Sequence, residues 1–186
     1  MQEALAFACP TELLERLVAR YAEPQRHYHV WSHVEACLRA RRELIESPPP
    51  EVDLALLFHD AIYEPLAPDN EERSAALLRD EGRTFGLAPD LVERAAALVL
   101  ATAHREPPTG AAAIVVDADL SILGSEPTVF AAYEQAVRRE YAMIDDASYA
   151  TGRARILRRF MERPTLYATA RGRELWEAAA RRNLAR

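Results

Sequence analysis

The decapeptide Glu51-Val52-Asp53-Leu54-Ala55-Leu56-Leu57-Phe58-His59-Asp60 decides how the chain folds. Val52, Leu54, Ala55, Leu56, Leu57 and Phe58 cover most of a helix's circumference with apolar side chains. The segment therefore reads as a central helix, buried on nearly every side. His59 and Asp60 would be delivered into the interior at its C-terminal end. Desolvating a carboxylate is costly, so Asp60 needs a compensating partner there. Taken alone, a His-Asp pair is as readily a satisfied core histidine beside an aspartate that caps the next turn.

Working outward, Ser47-Pro48-Pro49-Pro50 is a loop that stops a preceding helix and lets the next begin at once. That preceding helix is expected to start at Ser32-His33-Val34-Glu35, which has the form of a capping box, and to run to about Glu46. Leu13, Leu14, Leu17, Val18 and Tyr21 form an earlier helical stripe. Downstream, Asp69-Asn70-Glu71-Glu72 offers a second capping box before a helix reaching roughly Glu81. Pro89 suits the first turn of a helix carrying Leu91, Ala95, Leu98, Val99 and Thr102. Ile114-Val115-Val116 alone could be a strand, but its surroundings favour a helix interrupted by Asp117 and Asp119. Further amphipathic helices are expected near 126–142, 148–162 and 168–184. With no repeat and no low-complexity tail, the reading is all-α. A single domain spans 1–186, with a core over about 21–124 and C-terminal helices over 126–184.

Composition narrows the function classes. Of 186 residues, 49% are hydrophobic and 28% charged, ordinary values for a globular chain. The 23 Lys and Arg against 29 Asp and Glu leave a net charge of −6, which argues against a binder of nucleic-acid polymers or of membrane surfaces. No apolar run is long enough to span a bilayer, and Met1 to Thr11 lacks the basic start of a secretory signal. Cys9 and Cys37 form no CxxC and read as reduced thiols of a cytoplasmic protein.

Two further clusters stand beside His59-Asp60. Arg26-His27-Tyr28-His29-Val30-Trp31-Ser32-His33 holds three of the five histidines, and Ala118-Asp119-Leu120 sets a second carboxylate in an apolar segment. The order His33, His59-Asp60, Asp119 resembles the ligand set of the HD superfamily of metal-dependent phosphohydrolases. A closer resemblance, to a bacterial subgroup of that superfamily, rests on longer blocks. These are Arg26-His27-Tyr28-His29 with His33, Phe58-His59-Asp60-Ala61-Ile62-Tyr63, and Asp69-Asn70-Glu71-Glu72-Arg73-Ser74-Ala75. They continue with Asp117-Ala118-Asp119-Leu120-Ser121-Ile122-Leu123-Gly124, Arg138-Arg139-Glu140-Tyr141 and Ala180-Arg181-Arg182-Asn183-Leu184. The resemblance runs from about residue 21 to 184. It departs at Val30, where the subgroup has Asn, and at Glu64, where it has Asp.

The resemblance implies an HD-type helical fold and a divalent ion held by His33, His59, Asp60 and Asp119. A mixed nitrogen and oxygen set suits Mn, Fe, Co, Ni, Mg or Zn without choosing among them. Such an ion lowers the pKa of a bound water and polarises a phosphoryl group, so the implied activity is hydrolysis of a small phosphorylated substrate such as a nucleotide. His104 resembles the position at which some HD enzymes add a ligand for a second metal, and is otherwise a helix-terminal histidine. Glu71 or Glu72 would serve as general base, or simply occupy a helix's first turn. Arg26 would clamp a phosphate, or lie on the surface. His29 would contact substrate or support the metal ligands from behind. The alternatives are a regulatory or ligand-sensing HD domain, a dinuclear-iron HD oxygenase, and a helical interaction module whose buried acids pair with arginines.

Overall fold

A computed structural model describes residues 5–185, so the extreme ends of the 1–186 span, and part of the Met1 to Thr11 stretch, lie outside the described residues. The secondary structure within it is helical throughout, as the composition and periodicity require. Helices α1 (Thr11–Arg20), α2 (Trp31–Leu44) and α3 (Pro50–Phe58) are followed by α4 (Asn70–Thr84) and α5 (Pro89–Ala101). Next come α6 (Ala111–Asp119), a 3₁₀ turn (Leu120–Gly124), α7 (Pro127–Glu140) and α8 (Asp146–Met161). The C-terminal helix α9 joins an α turn (Ala170–Gly172), a π segment (Arg173–Glu177) and an α run (Ala178–Leu184).

The expected central helix is α3. Every residue from Val52 to Phe58 is buried, Asp53 included, and α2, α4, α5 and α6 pack around it. Asp53 tolerates this because both oxygens meet the Arg41 guanidinium, at 2.8 and 2.9 Å, and one also accepts the Ala6 N–H. Proline starts α3, α5 and α7, where a missing N–H leaves no bond unmade. Leu13 and Leu17 of α1 close one flank of this core with Tyr21, whose hydroxyl donates to the Leu57 carbonyl. A second apolar cluster forms where Val116, Leu120 and Leu123 meet Phe130, Leu166, Tyr167 and Ala180, and Trp176 packs against both clusters.

Neither expected capping box forms. Helix α2 starts two residues early, with Val30 instead of Ser32 at its N-cap and no side-chain cap bond. The turn before it is organised from a distance instead, by a Glu140 oxygen that accepts the backbone N–H groups of His27, Tyr28 and His29. At α4, Asp69 holds the N-cap position but makes no capping bond, while the Asn70 amide closes the preceding loop on the backbone of Glu64. The Ile114 segment is helical, and Asp117 lies inside α6 rather than at its start.

Candidate metal centre

Three segments far apart in sequence bring the predicted ligands together. His33 projects from the first turns of α2, His59 and Asp60 from the end of α3, and Asp119 from the last residue of α6. His33 Nε2 and His59 Nε2 lie 3.0 Å apart. Asp60 Oδ2 is 3.4 Å from the first and 3.0 Å from the second, and Asp119 Oδ1 is 3.3 and 3.6 Å from them. Donor atoms around an ion at about 2.1 Å are separated by about 3.0 Å at octahedral and about 3.4 Å at tetrahedral angles. All but the 3.6 Å spacing fall in that range, and donor atoms of His33, His59 and Asp119, with Cys37, lie within 4.8 Å of one another and could hold a metal ion.

The tautomer of His59 agrees. Its Nδ1 donates to the Leu56 carbonyl at 2.9 Å, which leaves the Nε2 lone pair aimed at the cluster, the usual arrangement for a metal-binding imidazole. Burial pushes each group toward neutrality, but the charges that they meet outweigh it. His33 and His59 are raised well above the usual imidazole range beside Asp60, Asp119 and Cys37, and Asp60 and Asp119 are held well below the carboxylate range beside the imidazoles. The centre of the cluster therefore calls for positive charge, either as protons or as a cation.

The two aspartates of α6 diverge as a helical step of ~200° requires. Asp119 turns Oδ1 to the imidazole pair and Oδ2 to His104 Nε2, 3.5 Å away. Asp117 faces the other way and accepts the N–H groups of Ala168 and Thr169 and the Thr169 hydroxyl, so it organises the start of α9. His104 follows α5 with φ +54, a left-handed conformation that strains a non-glycine residue, and its buried Nδ1 meets no hydrogen-bond partner among the described residues.

Beside the ligands opens a cavity of about 490 Å³. Asp60, Asp119 and His104 lie at its floor, Tyr28, Tyr63, Tyr133 and Val137 on its walls, and Tyr149, Ile156 and Phe160 of α8 over it. Helix α8 contributes no buried residue and roofs this space. It is tied to α7 by Arg153, which donates to the Tyr133 hydroxyl at 2.6 Å and pairs with Glu134. Phe160 sets its ring edge-on to His104.

The remaining candidate residues fare unequally. Glu71 lines the cavity, whereas Glu72 does not and is drawn into an ion pair with Arg105 at 2.7 Å that holds its carboxyl low. His29 lines the cavity, stacks on Tyr63 and is braced by Glu140, whose Oε2 lies 2.7 Å from Nδ1. Arg26 neither lies on the surface nor is free to clamp a phosphate: its side chain is fully buried. Its guanidinium donates to the carbonyls of His29, Asp60 and Ala61 and to Glu23, so its donors hold the site's loops together instead of a phosphate. Cys37 is the neighbour that the pattern left out. It stands one turn beyond His33, and the His33-x-x-x-Cys37 spacing, which places both on one helix face, was the available signal.

No protein-family model matches the chain, and no curated protein or solved structure matches it. None of the described helices is long and apolar enough to cross a membrane.

Proposed function

We propose that this chain is a divalent-metal-dependent phosphohydrolase of the HD kind, cleaving a phosphate ester of a small molecule such as a nucleotide. The observation that carries this reading is the convergence of His33, His59, Asp60 and Asp119 at 3.0–3.6 Å, with Asp60 and Asp119 on the floor of a cavity large enough for a small organic group. A divalent ion there would supply Lewis acidity to the phosphoryl group and acidity to water. The chain's own residues do the rest. The tyrosine-rich walls bind and orient the organic part of the ester, since aromatic faces accept flat or apolar groups. Glu71 takes up the proton from the attacking water at its carboxylate. Helix α8 restricts bulk water above the reacting centre.

A panel of phosphomonoesters and nucleotides, tested with the purified protein, decides this reading. Phosphate release should disappear with chelator, return with added divalent metal, and fall by several orders of magnitude in His59→Ala. If no ester is cleaved with any metal while metal still binds, the chain is a metal-binding regulatory domain instead. A site for two ions is a second reading, favoured by the divided carboxylate of Asp119 and by the strained His104. His104→Ala would then lose one equivalent of metal; an unchanged stoichiometry keeps the site mononuclear.

A further inference from the structure

We propose that Arg153 and the hydroxyls of Tyr133 and Tyr149 form the anion-binding wall of the cavity and hold the phosphoryl oxygens of its ligand. This rests on the phosphate-ester reading above and names the residues that recognise the ester's charge.

Hydrogen-bond donors left over on these side chains point to it. A guanidinium carries five N–H groups. Glu134 takes two of those of Arg153, from Nε at 3.2 Å and from Nη2, and the Tyr133 hydroxyl accepts the second Nη2 hydrogen at 2.6 Å. No described residue accepts from Nη1. Because the Tyr133 oxygen accepts from Arg153, its own hydrogen remains to be donated. The Tyr149 hydroxyl is buried and meets no partner among the described residues, an unfavourable state that a ligand oxygen would relieve. All three residues line the cavity. Their polar ends are close enough to act on one another, since Arg153 draws both hydroxyls down against the burial that raises them. The Asp119 carboxylate also acts on Tyr133, which sets this wall near the floor.

Charge selects the kind of ligand. Glu134, the counter-ion of Arg153, does not line the cavity, so the cavity meets the cation and not its partner. The Arg153 side chain is only 14% exposed, and water screens it little. Arg155 lines the cavity too, but it is exposed and nothing fixes its geometry. Arg26 uses its donors on Glu23 and on loop carbonyls. An amino group and two hydroxyls that offer hydrogens suit a group rich in acceptor oxygens, and a guanidinium pairs well with phosphate.

Binding of inorganic phosphate to the full, metal-loaded chain, measured by calorimetry, tests this without turnover. Arg153→Ala should weaken binding by about tenfold or more, and Tyr133→Phe and Tyr149→Phe by about threefold each, with metal content unchanged. Glu134→Gln separates recognition from architecture. It loosens the tie between α7 and α8 but keeps the guanidinium, so phosphate should bind at least as tightly as in the parent. A loss in Glu134→Gln equal to that in Arg153→Ala would show that Arg153 only fastens α8, and overturns the proposal. Phosphate binding that ignores Arg153→Ala and Tyr133→Phe, or is absent from the parent, also overturns it. Should Arg153→Ala fail to fold, Tyr133→Phe and Glu134→Gln still decide. Ester hydrolysis with phosphate binding indifferent to Arg153 keeps the reaction and removes this wall. Phosphate held by Arg153 with no ester cleaved keeps the wall and removes the reaction.

Discussion

Asp117 and Asp119 stand two residues apart on α6 and serve different ends of the molecule, one the turn into α9 and the other the imidazole cluster. Their substitutions should separate accordingly. Asp119→Asn should strongly weaken metal binding, because the lost charge faces the imidazole pair where an ion would sit. Asp117→Asn should keep its metal and lose about 1–2 kcal/mol of stability, since a charged acceptor of three hydrogen bonds becomes a neutral one. Metal titration together with urea unfolding of both variants checks this, and metal loss in Asp117→Asn would contradict it. His59, Asp60 and Asp119 were legible because ionisable groups in apolar runs must find a partner. Arg26 was not, because its acceptors are main-chain carbonyls brought together only by the folded loops. Cys37 escaped for a related reason: a lone cysteine in a helix looks inert until a histidine is found one turn away.

At the scale of elements, amphipathic spacing and proline placement were sufficient for the helices, and helix starts were not. Val30 replaces a capping side chain because Glu140, more than a hundred residues away, holds the amides of the preceding turn. A local cap motif carries no information about such distant acceptors. The 3₁₀ turn between α6 and α7 owes its fit to a missing side chain. A Cβ on Gly124 would lie 2.5 Å from Trp176 Cβ and 2.9 Å from the Trp176 carbonyl oxygen, so either the turn or the π segment of α9 must shift. Gly124→Ala should therefore cost about 1–3 kcal/mol, as overpacking does. Urea denaturation that shows no loss would mean that the π segment yields freely.

For the molecule as a whole, Glu140 is the buried link between the histidine loop and the C-terminal half. Burial pushes its carboxyl up, but the bonds from His29 and from the backbone N–H groups of the loop outweigh this and hold it at about 2, against an ordinary 4.5. A folded value below the unfolded one stabilises the protein fully above about 4.5, and the contribution is lost as pH falls toward about 2. Glu140→Gln should be less stable than the parent at neutral pH by about 2 kcal/mol, with the gap narrowing from about pH 5 to about pH 2.5. Thermal melts of the metal-free proteins across that range test it; a gap that stays constant with pH would show that the charge is not responsible.

Helix α8 has a different consequence, one that concerns descent rather than stability. A roof that contributes no buried residue can accumulate substitutions at a cost near about ±0.5 kcal/mol each, well within what a marginally stable fold absorbs. The cluster of His33, His59, Asp60 and Asp119 beneath it has no such freedom. Variation is therefore channelled into exposed positions of the roof such as Ile156, which lines the cavity. A lineage built this way can reshape the roof of its cavity while inheriting the histidine and aspartate cluster unchanged.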